Sequence, residues 1–325
     1  MKVPLAPLTT LRLGGPADRL IEARTQDELV EAARNDPALI LAGGSNVVIA
    51  DEGVRGTVVH IKTTGIAHAQ DLLVVQAGEP WDGVVEYTVA NGLQGFECLS
   101  GIPGSAGATP IQNVGAYGQD VSETVQWVRV YDRHTRQTRT LSAQECGFDY
   151  RTSVFKYHDR HVVLAVAFRL NRGRLSGPLR YAELARTLGV PVGGTAPLHE
   201  VREAILAIRR GKGMVIDPGD PDSVSAGSFF TNPILDEVPE GAPAWPEPDG
   251  RVKTSAAWLI ERAGFHKGYG NGRVGISTKH TLALVNRGGA TTSELLALAH
   301  EIAAGVQDRF GIALHPEPVL VGHDW

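Results

Sequence analysis

The sequence predicts an α+β protein in three parts, two small α/β regions followed by a third region with longer helices. Three observations predict it. Short runs of β-branched residues and leucine alternate with capped helical patterns through the first half of the chain. Two stretches crowded with glycine and other small residues interrupt that alternation, at 43–46 and 101–118. The 325 residues are too many for one ordinary core, so the chain should divide.

The elements follow in order. Thr25-Gln26-Asp27-Glu28 has capping-box spacing, and Leu29, Ala32 and Ala33 then recur at helical spacing. Leu39-Ile40-Leu41-Ala42 reads as a short buried strand running into Gly43-Gly44-Ser45-Asn46. Residues 58–61 and 72–77 read as further strands. Residues 84–91 read as a helix stopped by Gly92. Strands are expected at 125–131 and 162–170, with a capping-box start at Ser142-Ala143-Gln144-Glu145 between them. In the third region Leu198, Val201, Ile205 and Ile208 share one helical face. Residues 254–263 form a second helix there. Thr291-Thr292-Ser293-Glu294 caps a long helix whose stripe is Leu295, Leu298, Ile302, Val306 and Phe310. No internal repeat or low-complexity tract is visible.

Composition narrows the function. A net charge of −5 and a single short basic cluster, Arg209, Arg210 and Lys212, argue against nucleic-acid binding. An anionic ligand would have to be met in a local pocket. No apolar run approaches the length of a membrane span, and the N-terminus lacks a signal-peptide pattern, so a cytoplasmic protein is expected. The two cysteines, Cys98 and Cys146, read as buried thiols rather than a disulfide framework. The 11 histidines are scattered, and neither H-E-x-x-H nor a zinc-type Cys/His cluster occurs, so no metal site is expected.

The glycine-rich stretches carry the first functional signal. A strand ending in glycines exposes backbone N–H groups and admits a diphosphate at close range. Taken alone, Gly43-Gly44-Ser45-Asn46 is also an ordinary tight turn. The second stretch, with five glycines in eighteen positions, suits a flat aromatic ligand lying on backbone. The dinucleotide fingerprint G-x-G-x-x-G is missing after the first strand, and Gly268-Tyr269-Gly270-Asn271-Gly272 follows no strand and reads as a loop.

Further motifs flank and join the glycine stretches. Thr10-Leu11-Arg12-Leu13-Gly14-Gly15-Pro16-Ala17 precedes Gly43-Gly44-Ser45-Asn46 and Gly101-Ile102-Pro103-Gly104-Ser105. Gln112-Asn113-Val114-Gly115-Ala116-Tyr117-Gly118 and Tyr150-Arg151-Thr152-Ser153-Val154-Phe155-Lys156 follow. Ala226-Gly227-Ser228-Phe229-Phe230-Thr231-Asn232-Pro233 and Pro316-Glu317-Pro318 come last. Together the motifs resemble one family over essentially the whole chain, the UDP-N-acetylenolpyruvoylglucosamine reductases (UDP-N-acetylmuramate dehydrogenases) of peptidoglycan synthesis. The order and spacing of the motifs together are far more specific than any one of them.

The resemblance implies two α/β FAD-binding domains of the vanillyl-alcohol-oxidase-like type plus a third α+β substrate-binding domain. It divides the chain into 1–66, 67–210 (with 316–325 returning to it) and 211–315. It implies non-covalent FAD, recharged by NADPH, and reduction of the enolpyruvyl ether of a UDP-sugar by a monomeric enzyme. FAD would lie against Gly43, Gly44, Ser45, Asn46, Gly101, Ile102, Pro103, Gly104, Ser105, Gly107, Ala108, Asn113, Gly115, Ala116 and Val163. Ser228 matches the family's proton donor, Arg151 the arginine on the substrate carboxylate and Glu317 the active-site glutamate. Tyr181 matches the tyrosine loop of one subclass, with Lys212 and Asn232 at the UDP diphosphate. Around Lys212 the spacing to Asp217-Pro218 departs from the commonest family pattern.

Read without the resemblance, these residues have plainer roles: Ser228 a turn, Arg151 a surface ion pair, Glu317 a loop carboxylate. Two other functions suit the same scaffold, an FAD oxidase acting on an alcohol or amine and a non-enzymatic nucleotide-sugar binder. Such oxidases often tether flavin through His or Cys, which neither glycine loop contains, although Cys98 is near the second.

Overall fold

A computed structural model describes residues 2–325, which form two compact units. The first comprises residues 17–44 and 55–210, and the second comprises 2–16, 45–54 and 211–325. One division falls at 210/211. The last strand, Val319–Val321, pairs in parallel with Val47–Ile49 inside the second unit. Residues 316–325 thus join 45–54, and not 67–210 as expected from sequence.

In the first unit the strand Leu39–Leu41 lies parallel to Val54–Ile61, which also neighbours Pro16–Ala23. A five-stranded sheet runs in the order Gln137–Ser142, Val125–Asp132, His161–Arg169, Leu72–Gln76, Ile66–Ala69. Every pairing in it is antiparallel, in keeping with the α+β class. His161–Arg169 is central, and seven of its nine residues are buried, so it reads as a continuous apolar run. The helix Gln26–Arg34 starts where sequence places it. Thr25 Oγ1 accepts the Glu28 N–H at 3.1 Å, and Glu28 Oε2 accepts the Thr25 N–H at 3.2 Å.

The core of this unit has an aromatic centre. Trp81, Phe96 and Phe168 are fully buried, with ring centroids 4.8, 4.9 and 5.9 Å apart. Tilted and edge-to-face pairs of this kind add roughly 0.5–1.5 kcal/mol each beyond area burial. They fix the start of the helix Trp81–Ala90 to the sheet. The box at Ser142 forms its hydrogen bonds, Ser142 N–H to Glu145 at 2.8 Å and Glu145 N–H to Ser142 at 3.3 Å, but only turns follow it. No apolar helical stripe succeeds the box, and a cap without a face to bury does not make a helix.

The second unit packs the helices Ala256–Arg262 and Thr292–Phe310 with the sheet Ser225–Ser228, Ala283–Asn286, Val274–Ile276. Leu259, Ile260, Leu295, Leu298, Ile302 and Val306 form their shared core with Phe229, Phe230 and Leu284. The long helix carries three start and stop signals. Thr291 and Glu294 form the capping box, Gly311 takes φ 69° at the C-terminus, and Asp51 covers the first turn. Asp51 accepts the amides of Thr292 (2.7 Å) and Ser293 (2.9 Å) and the Ser293 hydroxyl (2.7 Å). Burial acts to raise the Asp51 carboxyl, but the Ser293 and Thr292 donors outweigh it and hold it below the usual carboxylate range.

A group with a depressed folded pKa stabilises above its unfolded pKa, and that stability is lost as pH falls through the folded value. Replacing Asp51 by Ala should therefore cost about 1 kcal/mol at neutral pH. In urea unfolding the gap between variant and parent should narrow as the pH drops below about 4. A gap that persists unchanged in acid would show that the carboxylate charge is not what holds the helix.

Candidate active site

In the first unit the second glycine loop is laid against one corner of chain. Gly107 N–H bonds Ala77 O at 2.8 Å, Ala106 N–H bonds Glu79 O at 2.9 Å, and Trp81 N–H bonds Gly104 O at 3.0 Å. The aromatic core therefore reaches the loop through the Trp81 backbone. At two positions only glycine fits. A Cβ on Gly107 would fall 2.5 Å from Ala77 Cβ, and one on Gly43 would fall 2.6 Å from Gly104 Cα. Gly43 and the loop 101–107 thus meet backbone to backbone, and Gly44 follows at the edge of the unit.

Ile102, Pro103 and Gly104 are half-buried along this loop. Ser105 is buried, and its Oγ has no hydrogen-bond partner among the described residues. A buried hydroxyl left unpaired costs roughly 1–3 kcal/mol, so this one suits a polar ligand atom. The loop ends in the 3-10 turn Ala106–Ala108, which carries Gly107 and Ala108. Backbone surface without side chains, beside an orphaned hydroxyl, fits the diphosphate and flat ring that sequence assigns here.

The following segment is held in strained conformations. Asn113, Tyr117 and Arg151 have φ of 46°, 51° and 52°, values unfavourable for residues with side chains. Asn113 is fixed on both sides, donating to Asp149 O at 3.1 Å and accepting the Ser122 N–H at 3.1 Å. Gly115–Ala116 pairs with Gln119–Asp120. The Arg151 guanidinium donates to Gly115 O (2.6 Å) and Asn113 O (3.3 Å) and lies 3.4 Å from Asp120 Oδ1. Its own carbonyl accepts from the buried Lys156 ammonium at 2.9 Å. Arg151 is thus bound to the Gly115–Ala116 strand rather than to a surface carboxylate alone.

Tyr181 is 41% exposed and stands at the N-terminus of the helix Ala182–Thr187. Its ring meets the Tyr117 ring edge-on at 5.2 Å. Val163 is buried in the central strand opposite Val130, within the core of the unit.

The second unit holds the other candidates. Phe229 N–H bonds Leu282 O at 2.7 Å, which seats the strand carrying Ser228 on its neighbour. A short ladder then joins two distant segments. Glu317 N–H bonds Phe229 O at 2.8 Å, and Thr231 N–H bonds His315 O at 3.1 Å. Ser228 and Glu317, 89 positions apart in the chain, become backbone neighbours through that ladder. Asn46 joins them: its Nδ2 donates to Glu317 O at 3.3 Å, and its carbonyl accepts the Val319 N–H at 3.0 Å. Ser45 precedes it in the same unit. Asn232 has a structural duty that sequence did not reveal, since its Oδ1 accepts the Ala256 N–H at 3.0 Å and caps the helix Ala256–Arg262. Lys212 is half-buried just beyond the helix Leu198–Gly211.

Family models match both parts of the chain. The FAD binding domain matches residues 17–140, and the UDP-N-acetylenolpyruvoylglucosamine reductase C-terminal domain matches 220–321. The UDP-N-acetylenolpyruvoylglucosamine reductase of Thermobifida fusca is 59% identical over 98% of this chain and 97% of its own length. This chain belongs to the UDP-N-acetylenolpyruvoylglucosamine reductase family. The reductase of Salinispora arenicola is 55% identical over 98% of this chain and 94% of its own. Among solved structures, the reductase of Thermus caldophilus superimposes with a TM-score of 0.71 at 25% identity, covering 99% of this chain and 98% of that one. The FAD-domain match contains both glycine loops, Asn113, Gly115 and Ala116. The reductase-domain match contains Ser228, Asn232 and Glu317.

Sequence reasoning missed several side chains that hold this site. Glu97 is buried and accepts from Gly95 N–H (2.7 Å), Gln119 Nε2 (3.0 Å) and Gly177 N–H (3.2 Å). It ties the approach to the glycine loop to the segment that leads to Tyr181. No local pattern announces it, because its partners come from three separate stretches. The cysteines are buried, as expected. Burial pushes the Cys146 thiol up to about 12 and the Cys98 thiol well above its usual range, so neither is a thiolate at neutral pH. No helix among the described residues is long and apolar enough to cross a membrane.

Two outcomes follow. Gly43→Ala should yield folded protein with little bound flavin, read as the ratio of visible to ultraviolet absorbance. Full flavin content would show that the Gly43–Gly104 approach is not needed. Glu97→Gln keeps one acceptor oxygen for three N–H donors, so its NH2 group must face at least one of them, and it should lower stability by about 1–3 kcal/mol in urea unfolding; an unchanged midpoint would remove Glu97 from this role.

Proposed function

We propose that this enzyme reduces the enolpyruvyl ether of UDP-N-acetylglucosamine enolpyruvate to UDP-N-acetylmuramate, with Ser228 supplying the proton, Arg151 holding the substrate carboxylate and Glu317 assisting. Its family and its FAD binding domain make it a flavin-dependent oxidoreductase of peptidoglycan synthesis. The observation that carries the residue assignment is the ladder between 229–231 and 315–317, which makes Ser228 and Glu317 neighbours.

FAD, when bound, supplies the hydride that adds to C3 of the enolpyruvyl group. Negative charge then builds at C2 and on the adjacent carboxylate, and the chain must meet that charge and protonate C2. A guanidinium is charged at every relevant pH and binds a carboxylate bidentately, so Arg151 strengthens its hold as charge develops. A serine hydroxyl is a weak acid, but the carbon of an enediolate is basic enough to take its proton. Glu317 assists by stabilising the enol or by orienting Ser228 through water.

The reading assigns Gly43 to Asn46, the loop 101–108, Asn113, Gly115, Ala116 and Val163 to non-covalent FAD, with 1–66 and 67–210 as its two subdomains. Lys212 and Asn232 are assigned to the UDP diphosphate and Tyr181 to closure over it. NADPH is the reductant. A monomer is proposed, as the resemblance implies, and a nucleotide-sugar substrate suits the cytoplasm.

Ser228→Ala separates the steps. Flavin reduction by NADPH should stay near the parent rate, while reoxidation by the enolpyruvyl UDP-sugar should slow by about 10²–10⁴-fold, the usual worth of a general acid. Equal damage to both half-reactions would remove Ser228 from the proton-donor role. Tyr181→Phe should raise the KM for the UDP-sugar and leave that for NADPH alone; unchanged substrate affinity would count against closure by Tyr181.

A further inference from the structure

The helix Leu198–Gly211 buries Arg202 on the same face as Val201 and Ile205. An arginine in a core is retained only where its charge and donors are met. Arg202 meets Asp82 with both of its terminal nitrogens, Nη1 to Oδ1 at 2.7 Å and Nη2 to Oδ2 at 3.0 Å. Asp82 lies in the first turn of the helix Trp81–Ala90, where a carboxylate ordinarily serves its own helix. Here its Oδ1 also accepts the Gly101 N–H at 2.6 Å.

Gly101 opens the glycine loop and has φ 71°, a conformation with no strong preference of its own to hold that amide in one direction. The far end of the loop is tied by backbone, through Ala77, Glu79 and Trp81. The near end is tied by a carboxylate. A lone carboxylate that is partly open to solvent can rotate toward water, whereas a bidentate guanidinium fixes its plane. The direction of the Gly101 amide therefore depends on a residue 101 positions further along the chain.

We propose that Asp82 and Arg202 are a positioning pair for flavin binding: Arg202 orients the Asp82 carboxylate, which in turn sets the Gly101 peptide at the mouth of the FAD loop. This rests on the assignment of loop 101–108 to FAD. Neither residue touches the reacting atoms, and neither belongs to the assigned contacts. The pair acts on how firmly the loop is pre-set before flavin arrives, and pre-setting a loop raises affinity by lowering the ordering cost of binding.

The test uses purified holoenzyme of the parent and of Asp82→Asn, Arg202→Met and Arg202→Lys. FAD release on dilution is followed by flavin fluorescence, hydrogen exchange is read at Gly101, and melting is recorded for each protein stripped of flavin. Arg202→Met keeps the apolar stem that fills the helix face, so it tests the guanidinium rather than the packing. Asp82→Asn and Arg202→Met should each weaken FAD at least about tenfold, the usual effect of losing a hydrogen bond to a charged group. They should speed exchange at Gly101, and the loss of FAD affinity should exceed what any loss of stability in the stripped proteins accounts for. Arg202→Lys restores the charge but not the fork and should recover affinity only in part. Unchanged FAD affinity in Asp82→Asn and Arg202→Met would overturn the proposal. So would a loss of affinity matched by an equal loss of stability in the stripped protein, with no recovery in Arg202→Lys. A parent protein that takes up no FAD would instead overturn the flavin assignment of the loop, a distinct result seen before any variant is made.

Discussion

The glycine loop depends on the corner of chain from Ala77 to Trp81. Three backbone hydrogen bonds within five residues hold Gly104, Ala106 and Gly107 there. The corner is itself immovable because the Trp81 ring is fully buried between Phe96 and Phe168. Such packing is rigid at the scale of a methyl group, so the loop inherits sub-ångström placement from the core. A cofactor laid on backbone needs this, since amides cannot adjust by changing rotamer as side chains can. The same closeness explains why Gly43 and Gly107 admit no Cβ.

The second unit solves a different problem. Its candidates are side chains, and they are brought together by strand pairing over long sequence separations. The Ser225–Ser228 strand has no β-branched residue and little intrinsic tendency to extend. It forms because Ala283–Asn286 is already an apolar strand that accepts it, and because Phe229 and Phe230 anchor the next two positions in the core. The ladder to 315–317 then adds Glu317, and the Asn46 side chain fastens the Glu317 carbonyl. Backbone pairing of this kind sets the positions of Ser228 and Glu317.

How much of this was legible in the sequence follows from the range of each interaction. The capping boxes at Thr25 and Thr291 and the stripe from Leu295 to Val306 were readable because cause and effect lie within one or two turns. The box at Ser142 misled for the same reason: its hydrogen bonds are local and real, but a helix also needs a face to bury. The antiparallel sheet, the pairing of Val319–Val321 with Val47–Ile49, the Asn232 cap and the bonds of Glu97 were not readable, because each joins segments that no local pattern relates. The candidate site residues were assigned through motif order, which records chemistry rather than local structure. Their supports, Lys156 behind Arg151 among them, appear only when the chain is folded.

The flavin proposed on the Ala77–Trp81 corner must be redox-active and must serve the enolpyruvyl UDP-sugar. An anaerobic visible titration of the purified protein tests it directly. The protein should be yellow, with a flavin band that stoichiometric NADPH bleaches and the enolpyruvyl UDP-sugar restores. A colourless protein, a band that NADPH leaves intact, or a bleached band that the UDP-sugar does not restore would contradict it.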